Sequence, residues 1–596
     1  MADSLQGEDA ALISAKSVLV KFLFPLLTAA VFFHICLLFY PFISGRNVIL
    51  NDYINIPEET LLNGNYVSNH KIMRMVVEGA DLSGAAEEFF LKNNYELSHQ
   101  TQCGWFMHHH LALLSAVNQF AGGRRIGEIT QQYGILSTVI LSGIMRLTGG
   151  VTLDGYLRVL YFFFPFFYFF VFWAALYIFR DFKYVFLVML LSAVLLLKLS
   201  YTSISLAPGF NPIRQLFLPG IMIFLWKSLK NKSFFSFCLA VLFSGLNILN
   251  SREFGLFGVL GLAAAWTAWN FLEPPRSGNR KRFFAVMLAI FLLLALFLVF
   301  LSQFRSNPLA KYYTAGISGP LVPRRLFIAI GLWISIFYFI ILKLLDSPKK
   351  LKYLAIFLFV YFQGIFVYFV WNPAPNHFYS IAIPLVFLLV ALLKLAMDRT
   401  GRKECHKIVV VCLSAAAVFV LLYLPAWRAY SVDLAGYKKT LESHRIYRWG
   451  MRKARIYSTM APAPFVNAVD LIERYASGKR IYPISQYDNL LAFLSDKWSS
   501  LPFDEAAISL VTEREVKECV ARILEDKPEY IFVDTGLGES IYGISNPSVA
   551  YLSGEFDLGP KLKMWEELRK VYLGVINSYE LVEKGDIISA YRRKHP

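Results

Sequence analysis

A polytopic α-helical membrane protein with a small appended α/β domain is the fold class this sequence predicts, and three observations carry it. Hydrophobic residues make up 56% of the 596 positions and charged residues only 17%, where soluble domains carry about 25% charged residues. A water-soluble fold of this length could not enclose 53 Phe and 32 Tyr. Apolar runs of span length recur as far as residue 426, after which the composition becomes that of an ordinary soluble domain. A soluble enzyme, a fibrous protein and a disordered chain are excluded.

Roughly 20 helical residues cross about 30 Å of hydrocarbon. The first run, Val18 to Ile43, is too long for a signal-peptide core and lacks a small-residue cleavage site, so a retained span is expected there. Further spans are expected at 132–149, 156–179, 183–199, 212–226, 234–249, 254–272, 283–304, 326–345, 353–371, 379–397 and 408–426, twelve in all. The loops at 227–232, 276–282, 343–352 and 399–407 are basic and so cytoplasmic. The loop from Trp371 to Tyr379 has no Lys or Arg and belongs outside. Everything after Trp427 is then extracytoplasmic, which needs an odd number of crossings if the N-terminus is inside. The segment 106–121, followed by Arg124-Arg125, is the best thirteenth crossing; the rival is an interfacial helix. About 12–13 transmembrane helices result, with thirteen as the working number.

The net charge of +17 follows from this topology, because cytoplasmic loops collect Lys and Arg. No basic-aromatic pattern points to nucleic acid. Cys36, Cys238 and Cys412 lie in apolar spans and Cys405 in a basic loop, and no CxxC pair joins Cys103 or Cys519 into a zinc or disulfide framework.

Two regions lie outside the membrane on this map. Residues 1–426 form the transmembrane module with an outer loop over about 44–105, too polar to span and too long for a passive connection. Residues 427–596 form the extracytoplasmic domain. There Thr512 onward has a helical start and spacing, Tyr530 to Asp534 and Lys479 to Ser485 read as strands, 563–576 as an amphipathic helix, and 579–591 as a hairpin turning at Lys584-Gly585. No phosphate loop, nucleophile elbow or metal-spaced Cys/His set occurs in the domain, so the chemistry is expected at the outer ends of the spans.

Several polar groups converge there. Asp52 follows the first span, with Glu58 and Glu59 just beyond it; His108 and His109 open the next apolar segment together with His110; Arg214, Arg252 and Glu253 sit at span boundaries; His377 lies in an uncharged loop. Each has an ordinary alternative: a turn Asp, an interfacial His, a snorkelling Arg. Together they make chemical sense. A carboxylate such as Asp52 can take a proton from an acceptor hydroxyl as general base. Arg or His can hold a lipid-linked phosphate and stabilise the charge that develops as it leaves.

The layout resembles the GT-C superfamily of membrane glycosyltransferases. One span, a large outer loop with an early acidic residue, about ten further spans and an outer α/β domain match it, as does Gln132-Tyr133-Gly134 entering a span that ends Leu147-Thr-Gly-Gly150 before Tyr156-Leu-Arg158. The resemblance implies a sugar transferred from a polyprenyl-phosphate donor to a lipid, glycan or protein acceptor on the extracytoplasmic face. Asp52 would be the base and the Arg/His set (Arg214, Arg252, His377, His108, His109, with Glu253) would bind donor. No paired Asp-Asp or Asp-Glu stands where some members of that superfamily have one, Glu58-Glu59 being the nearest substitute, and no W-W-D-type acceptor motif is present in the C-terminal domain. No cofactor is specified, and a divalent metal is compatible with these carboxylates. Location in a bacterial inner membrane, with the domain in the periplasm, is implied. A lipid-linked glycan flippase, a polysaccharide polymerase or ligase, and a non-enzymatic scaffold are the alternatives.

Overall fold

The computed structural model describes residues 2–44, 48–49, 110–131, 134–199, 213–272, 350–371, 379, 382–399, 404–443, 445–458, 460–485, 487–503, 506, 510, 513–537 and 558–594. The expected spans at 283–304 and 326–345 lie outside them.

The described chain is mostly helical. Helix α1 (Ala2–Ile43) leads to the short strand β1 (Val48–Ile49). Then follow α2 (Ala112–Ala121), α3 (Ile135–Leu147), α4 (Leu153–Phe179), α5 (Phe182–Lys198), α6 (Leu218–Asn231), α7 (Phe234–Asn250), α8 (Arg252–Leu272), α9 (Leu351–Trp371) and α10 (Ile383–Arg399). Helix α11 (Glu404–Val418) passes through one π-turn (Phe419–Tyr423) into α12 (Leu424–Ser443), so the last apolar helix runs on well past Trp427. Three stretches, Phe22–Ile43, Leu153–Phe179 and His406–Lys439, are long and apolar enough to cross a membrane.

The turns between helices follow from local chemistry. Arg180 ends α4 in the left-handed conformation, and the next residue, Asp181, caps α5 by accepting from the Lys183 amide at 3.2 Å. Lys232 and Ser233 do the same between α6 and α7, where Ser233 accepts from the Ser236 amide at 3.2 Å. Both tight turns lie at one end of the bundle. Lys350, just before α9, joins them by donating from Nζ to the Lys230 carbonyl at 3.0 Å.

The opposite end carries the C-terminal domain. Strand β1 pairs in parallel with a domain strand (Tyr457–Ser458), and the first amide of α4, Leu153, donates to Lys453 O at 2.7 Å. Two segments expected to cross the membrane are anchored here at both their ends. Helix α2 spans about 15 Å at 1.5 Å per residue, half the hydrocarbon thickness, and its residues through Gln119 are buried. Helix α3 begins at Gly134, where the Leu249 and Asn250 carbonyls at the end of α7 occupy the space a Cβ would need. It ends with Arg146 donating to Phe120 O at 3.1 Å and Ala121 O at 2.6 Å, at the end of α2. The expectation of crossings at 106–121 and 132–149 is therefore corrected for their described parts. The apolar residues of α2 face protein, whereas α3, held at both ends, buries Ser137, Thr138, Leu141, Ser142 and Met145 and leaves Val139 and Leu147 exposed.

In the domain, strands β2 (Tyr447–Arg448) and β3 (Tyr457–Ser458) pair antiparallel beside β1. Helix α13 (Ala463–Tyr475), β4 (Arg480–Ile481), β5 (Pro483–Ile484), α14 (Asp488–Leu494), β6 (Trp498–Ser499), α15 (Glu513–Asp526), β7 (Tyr530–Asp534), α16 (Leu558–Val575), β8 (Tyr579–Glu583) and β9 (Ile588–Arg593) follow. A four-stranded sheet has the order β5-β7-β9-β8, with β5–β7 parallel and the other pairs antiparallel. Alternation along β7 divides the core in two. Phe532 faces a cluster with Trp449, Phe465 and Ile588, while Ile531 and Val533 face one with Cys519, Ile523 and Val571. The first cluster also contains Leu111, Leu114 and Val117 of α2 and Tyr156 of α4, so domain and bundle share one hydrophobic core.

The 452–455 loop clamps this junction. Lys453 Nζ donates to Asn118 Oδ1 at 3.2 Å and lies 2.8 Å from Asp496 Oδ1, and the Arg455 amide donates to Asp154 at 3.3 Å. Burial pushes the Asp496 carboxyl up, but hydrogen bonds from Lys453 and Lys479 outweigh it and hold the group below the usual carboxylate range. Such a group stabilises the folded state above the unfolded pKa of about 3.9, and that contribution is lost as pH falls through the lower folded value. Asp496→Asn, tolerated at this left-handed position (φ 55°), is expected to flatten the acid limb of thermal stability below about pH 5. An unchanged acid limb in the variant would remove this carboxylate from the clamp.

Candidate functional site

Of the residues the sequence singles out, Asp52, Glu58, Glu59, His108, His109 and His377 lie outside the described residues. Three are described, and the fold brings them together. Asn250, at the end of α7, donates from its side chain to the Ile213 carbonyl. That contact sets Arg214 beside the start of α8, where Arg252 and Glu253 stand. The Arg214 guanidinium lies 5.8 Å from the Phe254 ring centroid, close enough for a cation–π contact. Arg252 is half-buried and Glu253 exposed. His110, third of the histidine run, is fully buried with its ring edge-on to Tyr156 at 6.0 Å.

Next to this cationic corner a groove of about 950 Å³ opens between α3, α4, α6 and α7, a size within the usual range for small-molecule sites. Its floor is the face of α4 that presents Val159, Phe162, Phe163, Phe166, Phe170 and Trp173. These recur at helical spacing, and several are unusually exposed for large aromatics: Phe162 by 58% and Trp173 by 51%. Leu216 and Phe217, which follow Arg214 in the chain, form one wall with Pro219, Gly220, Ile223 and Phe224. Gly220 is required here, because a Cβ would enter the Phe243 ring that closes the far side. Among the described lining residues one is charged: Arg158, in the second turn of α4 and therefore at the domain end. From Arg158 to Trp173 the groove runs about 22 Å along the helix axis.

The chemistry that suits this shape is an amphiphile with an anionic head. Exposed aromatic surface of this extent calls for an apolar cover, and a long hydrocarbon chain would supply it. Arg158 stands at the mouth to meet an anion, and Arg214 with Arg252 lies beyond it. Sequence reasoning recorded Arg158 within a motif and gave it no role. Its significance depends on helices far apart in the chain, and no local signal reports that. Among the described residues no three His, Cys, Asp or Glu side chains gather as a metal-ligand set.

No family model matches this chain, and no curated protein matches it. Among solved structures it is similar to the crystal structure of ArnT from Cupriavidus metallidurans in the apo state. Sequence identity is 13%, the alignment covers 81% of this chain and 92% of that one, and the TM-score is 0.38. A likeness at that level does not decide the activity of this chain.

Replacing Arg158 supplies a direct check on the groove. A charge-assisted hydrogen bond is worth about 1.5–3 kcal/mol, so Arg158→Ala is expected to weaken binding of a long-chain lipid phosphate by roughly 10–100-fold. Arg158→Lys should recover part of the loss. An unchanged affinity in Arg158→Ala would separate this cation from the lipid phosphate.

Proposed function

We propose that this protein is an integral-membrane glycosyltransferase that moves a sugar from a polyprenyl-phosphate-linked donor to an acceptor on the extracytoplasmic face. The single observation that carries this reading is the apolar groove with its one cation at the domain end. A polyprenyl chain fills the groove from Trp173 upward, and its phosphate meets Arg158, Arg214 and Arg252. Asp52 follows in sequence the strand β1 (Val48–Ile49), which is tied to the domain. In this reading Asp52 is the general base, Glu58 and Glu59 belong to the same acidic loop, and His108, His109, His377 and Glu253 contribute to donor binding.

The topology fits. Nine described helices run between the two ends of the bundle, and counting the two spans that the sequence predicts at 283–304 and 326–345 gives eleven. Eleven is odd, so the basic turns at Arg180, Lys230–Lys232 and Lys350 fall on the cytoplasmic side with the N-terminus. The domain and the acidic loop then fall outside, and the parity conflict in the sequence disappears once 106–121 and 132–149 are taken out of the count. A flippase moves a polar head through the membrane and needs polar groups along its path. Below Arg158 the described groove lining is wholly apolar.

A polyprenyl phosphate carrying a photoreactive group near its chain terminus tests the groove in lipid nanodiscs. Crosslinks are expected in 159–173 and 216–224, reduced by replacing Gly220 with Leu. Crosslinking spread evenly over lipid-facing helices, and unaffected by Gly220→Leu, would refute the lipid-chain site.

A further inference from the structure

A second cavity, of about 400 Å³, lies on the domain between three separate elements: the turn carrying Arg124 and Glu128, the β4–β6 pair, and helix α15. Strands β4 and β6 pair in parallel with Arg480 opposite Trp498 and Ile481 opposite Ser499. Ile481 and Ser499 are buried while Arg480 and Trp498 face outward, so one wall presents an indole beside a guanidinium. Helix α15 forms the facing wall. It buries Val516, Cys519 and Ile523 in the core and turns Glu518, Arg522 and Glu525 to the cavity at i, i+4 and i+7. The third wall closes against Trp498 at Gly122, where a Cβ would lie 3.5 Å from the ring.

The lining has a definite chemical character. Three guanidiniums (Arg124, Arg480, Arg522) are balanced by three carboxylates (Glu128, Glu518, Glu525), so the cavity offers no net field to an anion or a cation. Two of the cations are already engaged: Arg124 with Gln119 and, at 4.0 Å, Glu128, and Arg522 with Asp526 at 2.7 Å. What remains is an aromatic face ringed by alternating donors and acceptors. A sugar ring has one face of weakly positive C–H groups, which pack on the electron-rich indole face. Its hydroxyls both donate and accept, matching carboxylates and guanidiniums in turn. A phosphate or nucleotide would leave the three carboxylates facing like charge.

We propose that this cavity is a saccharide-binding site, suited to the carbohydrate part of an acceptor glycan. Binding there does not depend on the transferase proposal; only the word acceptor does. The cavity lies on the domain, apart from the groove, and would hold a glycan at a distance from the bond being formed.

The test uses the full-length protein in nanodiscs with no donor present. Binding is measured by calorimetry against a panel of maltotetraose, cellotetraose, chitotetraose, mannotetraose and sialyllactose, with inorganic phosphate and AMP as controls. At least one saccharide is expected to bind. Trp498→Ala, and separately the doubly substituted Glu518→Gln/Glu525→Gln, should each weaken it at least about tenfold, while Arg474→Ala on another face leaves it unchanged. Protection of the buried Cys519 thiol confirms that the exposed-carboxylate variant remains folded. The proposal is overturned if no saccharide binds, if binding survives both sets of substitutions, or if only phosphate or AMP binds in a Trp498-dependent way. Because no donor is present, absence of sugar transfer in a separate assay leaves this result standing.

Discussion

Asp52→Asn is expected to lower the turnover of sugar transfer by about 10²–10⁴-fold, the range over which a positioned general base acts, with little change in donor affinity. The side chains differ by one atom type and share a shape, so the loss isolates proton transfer from packing. An acceptor hydroxyl is a poor nucleophile until its proton leaves. In the proposed arrangement Asp52 takes that proton while the Arg158, Arg214 and Arg252 cations stabilise the departing lipid phosphate. The two roles separate experimentally, because loss of the base lowers kcat whereas loss of Arg158 raises KM. Glu58→Gln and Glu59→Gln provide the comparison. If either costs more than Asp52→Asn, the base belongs to that glutamate. Wild-type turnover in Asp52→Asn removes Asp52 from the chemistry.

Trp449→Ala should be the most destabilising single change in the domain. Its side chain is fully buried, stacks near Phe465 with ring centroids 5.0 Å apart, and donates from Nε1 to the Met460 carbonyl at 2.9 Å. Trp→Ala truncations in cores cost about 3–5 kcal/mol, and the Met460 carbonyl would be left buried without this donor. The cluster around Trp449 occupies one face of the sheet whose other face shields Cys519, and it also contains α2. A loss there is transmitted both ways. The measurement is the rate of thiol labelling at Cys519 in full-length protein, read by mass spectrometry. Burial holds this thiol far above its ordinary pKa, so labelling reports opening of the domain. A rise of roughly 100-fold or more is expected if the opening free energy falls by that amount. A labelling rate equal to wild type would mean that the two faces of the sheet open independently.

Much of the bundle was legible in the sequence because a helix in hydrocarbon must be apolar along its whole length. The runs at 156–179, 183–199, 234–249 and 254–272 fall on α4, α5, α7 and α8 to within a few residues. The runs at 106–121 and 132–149 carry the same composition for a different reason. They are short helices of 10 and 13 residues held at the domain end; the first is buried between the bundle and the domain, and hydropathy does not distinguish burial in protein from burial in lipid. What separates them is that both ends of each are held at the domain end of the bundle, a tertiary fact that hydropathy does not report. In the domain, the 513–526 helix and the 530–534 strand follow directly from spacing and β-branched content, while the 479–485 stretch divides at Tyr482 into two short strands with different partners.

The candidate site was legible only where chemistry is local. Arg214 and Arg252 stood out as cations at the ends of apolar runs, and Asn250 with Ile213 explains why they meet. Arg158 and the groove were hidden, since the groove exists only when four helices from separate parts of the chain assemble. The Arg480–Trp498 pair was hidden for a related reason: its register is set by two strands of two residues each, too short to leave a pattern.

The most direct test of the central claim is a transfer assay with the purified protein in liposomes, supplied with a polyprenyl-phosphate sugar carrying a radiolabel in the sugar. The account predicts label leaving the polyprenyl phosphate for an acceptor on the domain side, with free polyprenyl phosphate released in equal amount. Intact labelled donor moved to the opposite leaflet, with no transfer from any polyprenyl-phosphate sugar supplied, would contradict it and identify a transporter instead.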